Sequence, residues 1–210
     1  MYLMLDASLL NITAHLPIAS RETEAQHVLE ELRTHATLAP LLTEAPAINL
    51  IKSAAGNAPF LVRLMTKYPD TLACILSQGP DTTWALLQSE IQSMDMRTLD
   101  QAGIMLCLRQ LKARVALTIA MADIAGTWKL DAITRALSNF ADAAVTAALR
   151  FLLHSAALRG ELTLTNTHQP EDGSGIIILG MGKLGGFELN YSSDIDLIVL
   201  FDKTILPYSG

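Results

Sequence analysis

From residue 6 to residue 159 the chain is dominated by Leu, Ala and Met, has few β-branched runs, and places Pro or Gly mainly where one helix would hand over to the next. That pattern commits most of its length to α-helix before any motif is considered. Residues 99–125 are the clearest case, since Ile104, Leu108, Leu111, Val115 and Ile119 recur at spacings of three and four and share one face. Gly126 is the natural stop. A second long helix is expected from Asp131, with Ile133, Leu137, Phe140, Ala144, Ala148 and Phe151 as its buried stripe. Asn57 before Ala58-Pro59-Phe60 and Asp70 after Pro69 read as starts of two shorter helices, with Gly79-Pro80 closing the second.

With 50% of 210 residues hydrophobic, the chain has ample material for a core. A net charge of -6 gives no basic excess, so neither a nucleic acid backbone nor an anionic membrane is expected as its main partner. Cys74 and Cys107 stand far apart in apolar surroundings, as buried thiols in a reducing compartment do. The N-terminus lacks a positive leading region, so a secretory signal is not expected and the chain should be cytoplasmic. The longest apolar segment, residues 115–122 between Arg114 and Asp123, is far too short for a membrane span. His15, His27, His35, His154 and His168 show no metal-ligand spacing.

The character changes after Gly160. Residues 165–175 are rich in Pro, Gly, Asp and Asn, and Ile176-Ile177-Ile178-Leu179 follows as a short β-branched strand. A second strand is expected over residues 194–201, apolar on both faces as in a strand covered on both sides. The expected organisation is therefore a helical region over residues 1–160 and a second region over residues 161–210.

Between the strands runs Gly180-Met-Gly-Lys-Leu-Gly-Gly-Phe-Glu-Leu-Asn-Tyr-Ser-Ser-Asp-Ile-Asp-Leu. Asp194 and Asp196, two apart on extended chain, project their carboxylates from one side and can hold a divalent cation. Hard oxygen ligands of this kind suit Mg²⁺, which takes one or two protein carboxylates together with substrate phosphates. The turn with Gly182, Gly185 and Gly186 could let backbone N–H groups approach a phosphate. Ser192 and Ser193 add hydroxyl donors, and Lys183 could offset phosphate charge.

A Walker A loop does not fit, because Ile177 stands where its first glycine belongs and Leu184 follows Lys183. An EF-hand fails because its third ligand and its glycine would fall on Ile198 and Val199. A Rossmann fingerprint does fit Gly180, Gly182 and Gly185, with Asp202 about twenty residues on. However, the linker leaves too little helix-forming sequence for a crossover helix and leaves the aspartate pair unexplained.

Leu184-Gly185-Gly186, seven residues, then Asp194-Ile195-Asp196-Leu197 resembles the signature of the DNA polymerase β nucleotidyltransferase superfamily. The longer stretch from Gly180 to Asp196 is similar to the glutamine synthetase adenylyltransferase family, as are residues 56–61, 111–126 and 137–144 of the helical region. The resemblance implies an α+β fold: an N-terminal α-helical region, then the first strands of a truncated, polymerase β-like mixed sheet. It implies Asp194 and Asp196 as catalytic metal ligands, with Gly182, Lys183, Gly185, Gly186, Ser192 and Ser193 at the nucleotide. Mg²⁺ and an adenine nucleotide, ATP or ADP, are the implied cofactors. Glutamine synthetase is the implied partner and a PII-type protein a candidate regulator.

That family both attaches AMP to a tyrosine of glutamine synthetase and removes it by phosphorolysis. Met181, Asn190 and Ser192 are similar to the N-terminal, adenylyl-removing half. Phe187 departs from the family, which commonly has Arg, Lys or a small residue there. The third metal carboxylate of the superfamily has no counterpart in the chain, so the 210 residues alone are expected to be weakly active or inactive. A non-catalytic alternative is a helical docking module for glutamine synthetase or a PII-type regulator, with Arg109 and Lys112 facing the partner.

Overall fold

In a computed structural model, which describes residues 4–9 and 16–205, helices fill most of the chain and a single pair of strands follows them. The helices are α1 (Glu22–Leu32), α2 (Ala45–Asn57), α3 (Pro59–Lys67), α4 (Pro69–Gln92), α5 (Gln101–Ile124) and α6 (Leu130–Leu158). Strand β1 (Ile176–Gly180), the single turn α7 (Gly182–Gly185) and strand β2 (Leu197–Phe201) complete the order. The fold is α+β; α5 lies within two residues of its expected limits, and α6 starts one residue before the expected Asp131.

The chain divides into two compact units, one made of Met1–Leu87 with Lys112–Ile133 and the other of Gln88–Leu111 with Thr134–Gly210. In the first, α1 packs on α2 through Ala25, Val28, Leu29 and Leu32 against Leu50, Ile51, Ala54 and Ala55. Leu61, Leu64 and Met65 of α3, Leu72, Ile75 and Leu76 of α4, and Leu117 and Met121 of α5 join this core. Each helix contributes residues three or four apart, as an amphipathic helix must.

One local reading needs correcting. Asn57 does not start α3 but ends α2, where its side-chain amide donates to the carbonyls of Ile18 and Ser53 at 3.0 Å each. Helix α3 begins on Pro59 with no side-chain cap, because proline in the first turn lacks only an N–H that would have had no partner. At Gly79 the backbone leaves helical geometry (φ 81°, ψ 163°), so Gly79-Pro80 closes the first helical segment of α4 as expected, and a second segment starts at Pro80 and reaches Gln92 across the kink.

In the second unit α6 buries Ala136, Ser138, Ala147 and Leu153, while Leu137, Phe140, Ala144, Ala148 and Phe151 of the expected stripe are only half-buried. Among the described residues α6 is the one helix whose length and composition would suffice to cross a membrane. Apolar segments bounded by charged residues do not reveal it, because polar residues interrupt the helix without lowering its average enough.

Strands β1 and β2 are antiparallel, pairing Ile176 with Phe201 and Gly180 with Leu197 at the two ends. Antiparallel pairing with one helical turn between the strands rules out the Rossmann crossover, which needs parallel neighbours. Asp202, the acid that reading required, instead accepts from the backbone N–H and hydroxyl of Thr204 at 2.8 and 2.7 Å. The second strand begins at Leu197, three residues later than expected, and is not covered on both sides. Its five residues are 38–59% exposed, because the described residues place no further strand beside it.

Candidate functional site

The second unit carries every residue singled out between the strands. The β1–β2 ladder continues one step beyond Gly180, where the N–H of Met181 donates to the carbonyl of Asp196 at 2.9 Å. This bond fixes the backbone of Asp196 against the start of the glycine turn. Asp194, Ile195 and Asp196 lead directly into β2 without belonging to it.

Asn190 shapes the approach to this arm. Its side-chain oxygen accepts from the backbone N–H of Ser192 (3.2 Å) and from the hydroxyls of Ser192 (3.4 Å) and Ser193 (2.8 Å). Such an Asx-type turn fixes the chain two residues ahead of itself. Both serine hydroxyls are thus engaged within the turn, and their first role is to set the direction in which Asp194 leaves it.

Lys183, Asn190, Ser192, Ser193, Asp194 and Asp196 line one cavity of about 340 Å³, with Met181 at its edge. Neither aspartate has an ion-pair or hydrogen-bond partner for its carboxylate among the described residues, and Lys183 forms no ion pair there. Three charges left uncompensated by protein around one cavity are available to a ligand. The donor set fits Mg²⁺: two hard carboxylates with no competing cation on them, in a space with room for phosphate oxygens. No group of three or more His, Cys, Asp or Glu residues converges among the described residues, so this chain's described residues offer the ion the two aspartates alone.

The glycines divide by physical reason. Gly182 has φ 54° and open space where a side chain would stand, so its demand is conformational. A Cβ on Gly185 would lie 2.4 Å from the carbonyl oxygen of Gly180, so its demand is steric. Gly186 has neither restriction, since its Cβ would be 3.6 Å from the nearest atom at an ordinary φ of -86°. The N–H groups of Gly185 and Gly186 donate to Met181 and Gly182 at 3.3 and 3.0 Å. The phosphate cradle expected of these two glycines is therefore closed on itself, and the turn offers the cavity the side chain of Lys183.

The turn ends with Phe187 in the left-handed region (φ 56°). The N–H of Phe187 donates to Leu184 at 3.1 Å and that of Glu188 to Lys183 at 2.8 Å, the paired bonds of a Schellman stop. Glycine ordinarily holds this position, because a side chain there costs roughly 1–2 kcal/mol. Here the guanidinium of Arg135 lies 5.4 Å from the Phe187 ring centre, which offsets part of that cost. Arg135 and the buried Ser138 were missed by the sequence reading, and Asn190 was named there without its role in the turn. For Asn190 the signal existed, an Asn two residues before Ser-Ser; single polar residues within a helix give none.

A second cavity, of about 430 Å³, lies between α6 and the turn side of β1, with Val145, Leu149, Leu184 and Phe187 among its lining. At its edge Arg150 donates to Glu171 through Nε at 2.6 Å and pairs with it through a second nitrogen. Burial alone would raise the Glu171 carboxyl; the bonds from Arg150 and its charge, with a smaller part from His154, outweigh it and hold the group below its ordinary value. A depressed folded pKa means the pair stabilises the fold above the unfolded carboxylate range and loses that effect as pH falls through the folded value. In Arg150→Met burial is opposed only by Glu171's own backbone bond and the smaller His154 charge, so the folded pKa rises and the stabilisation above the carboxylate range is lost. We expect this substitution to cost about 2 kcal/mol at pH 7 and much less at pH 4, read by urea unfolding at both. Equal losses would show that Glu171 does not depend on Arg150.

A family model described as glutamate-ammonia ligase adenylyltransferase matches residues 48–207. The chain belongs to this family. Among curated relatives, the bifunctional glutamine synthetase adenylyltransferase/adenylyl-removing enzyme of Bradyrhizobium diazoefficiens is 40% identical over 200 residues, 88% of this chain and 20% of that protein. The enzymes of the same name from Rhodopseudomonas palustris and Xanthobacter autotrophicus are 41% and 40% identical over 72% and 82% of this chain, and 15% and 17% of theirs. The chain thus spans at most about a fifth of the length of these relatives. No solved structure matches it.

Proposed function

We propose that this chain supplies the metal-holding arm of a nucleotidyltransferase that removes AMP from the adenylyl-tyrosine of glutamine synthetase by phosphorolysis. The observation that carries this reading is the convergence of Lys183, Asp194 and Asp196 on one cavity, with both carboxylates unpaired by protein. The relatives' printed names, which join adenylyl transfer and adenylyl removal on glutamine synthetase, support the substrate. Residues 1–160 would then be a helical region preceding the catalytic domain, and residues 161–210 that domain's start. The setting would be cytoplasmic, with a PII-type protein as the class of regulator.

In this reaction an oxygen of inorganic phosphate forms a bond to the adenylyl phosphorus while the bond from that phosphorus to the tyrosyl oxygen breaks. ADP forms and the tyrosyl oxygen takes up a proton. Asp194 and Asp196 would hold Mg²⁺, which when bound neutralises charge on the phosphoryl oxygens. Lys183 reaches the same cavity and would add positive charge beside the phosphate. The Asn190 turn and the bond from Met181 to Asp196 fix the arm before substrate arrives, so little reorganisation is needed during the reaction. The remaining metal carboxylate has no counterpart among the described residues.

The test is product identity. Adenylylated glutamine synthetase, incubated with the full-length enzyme carrying this chain, should release ADP when Mg²⁺ and inorganic phosphate are both present and nothing when either is withheld. Release of AMP without phosphate would replace phosphorolysis by hydrolysis. Unchanged release with this region deleted would make it a docking module.

A further inference from the structure

Two attachments join helix α6 to the loop that carries the proposed metal arm, and they lie three residues apart on the same face of the helix. Arg135 stacks on the ring of Phe187 at 5.4 Å. One turn further, the hydroxyl of Ser138 accepts from the backbone N–H of Leu189 at 3.3 Å, while donating to the carbonyl of Thr134 at 2.9 Å. Ser138 is 0% exposed and Leu189 6% exposed, so this bond is sheltered from water. The next residue, Asn190, organises the serine turn leading into Asp194. The chain from Lys183 to Asp194 is therefore pinned at two successive points before it reaches the carboxylates.

The backbone reinforces this. Among the described residues Phe187 is the one non-glycine residue with positive φ, at 56°. Glycine would hold the same conformation at less cost. A side chain there must act through its contacts, and those of Phe187 are the Arg135 guanidinium and the cavity wall it shares with Leu184 and α6.

We propose that Arg135, Ser138, Phe187 and Leu189 form a clamp that positions the Asp194–Asp196 arm, with Phe187 and Ser138 as positioning residues that touch neither metal nor substrate. The proposal rests on the reading of the arm as a metal site, and it tells three substitutions apart. Phe187→Gly removes the ring and relieves the backbone. Phe187→Tyr keeps the ring. Ser138→Ala removes the acceptor at Leu189 while changing little volume.

Mn²⁺ binding to the chain with ADP, followed by the spin resonance of the metal, gives one readout, and melting temperature and amide exchange give two more. Phe187→Gly is expected to weaken Mn²⁺ binding about fivefold or more while leaving the melting temperature within about 2 °C of wild type. Phe187→Tyr should match wild type in both. Ser138→Ala should weaken Mn²⁺ binding similarly and speed exchange of the Leu189 amide at least tenfold. Wild-type Mn²⁺ binding by Phe187→Gly, or an unchanged Leu189 amide in Ser138→Ala, would overturn the clamp. If the wild-type chain binds no Mn²⁺, or Asp196→Asn binds it equally well, the metal-site reading fails instead, and amide exchange at residues 187–189 still decides whether the clamp exists.

Discussion

Asp196→Asn is expected to lower the rate of AMP removal by about a thousandfold or more, leaving the folded chain as stable as wild type. The substitution keeps shape and exchanges one carboxylate oxygen for an amide nitrogen, so it removes charge and a metal donor without opening space. Asp196 is exposed and its carboxylate bonds to no described residue, so its loss breaks no contact within the fold. Its backbone carbonyl still accepts from Met181, and the arm stays in register with β1. A thousandfold corresponds to about 4 kcal/mol of transition-state stabilisation, which is within what one ligand of a phosphoryl-transfer metal supplies. Steady-state assays of the full-length enzyme, with thermal unfolding of the same preparation, would test both halves. A variant removing AMP at the wild-type rate would end the assignment of this pair. A variant that is slow because it is unfolded would show that the carboxylate is structural.

What could be read from residues alone depended on whether the relevant physics is local. The limits of α5 and the start of α6 were legible because helical periodicity is written in the order of side chains and because Gly126 stops the first. The failure of a crossover helix between the strands was legible as well, from the shortage of helix-forming residues after Gly186. The break at Gly79-Pro80 was legible too, because a glycine outside helical geometry followed by a proline suited to a first turn is a local signal; that a second helical segment follows at once was not. The unbroken apolar run of β2 implied that the strand needs cover, but such a run does not show that cover is present. The aspartate pair stood out because two carboxylates two apart before an apolar run are a local pattern in the residue order. Ser138 was not, since its partner Leu189 is 51 residues away and a lone serine in a helix announces nothing.

The glycines of the turn give the sharpest separation between what the sequence suggested and what the geometry requires. If their purpose were to let N–H groups approach phosphate, Gly185 and Gly186 should be equally sensitive to a side chain. The structure makes them unequal. A methyl group on Gly185 would sit 2.4 Å from the Gly180 carbonyl oxygen, against backbone that cannot rotate away. Gly180 pairs with Leu197, and Met181 after it bonds to Asp196, so a shift to relieve the clash passes directly into the metal arm. Gly185→Ala is therefore expected to cost about 1–3 kcal/mol in stability and about a hundredfold in the rate of AMP removal, as a displacement near 1 Å does in a positioned site. On Gly186 the same methyl group would find its nearest neighbour, the Gly182 carbonyl oxygen, at 3.6 Å, an ordinary contact. Gly186→Ala should therefore stay within about 0.5 kcal/mol and about threefold of wild type. Rates and unfolding midpoints for the two variants, measured side by side, decide the matter. Equal and severe losses at both positions would restore the phosphate cradle and with it the first reading of this turn; loss at Gly185 alone would leave steric packing against β1 as the reason a glycine is needed there.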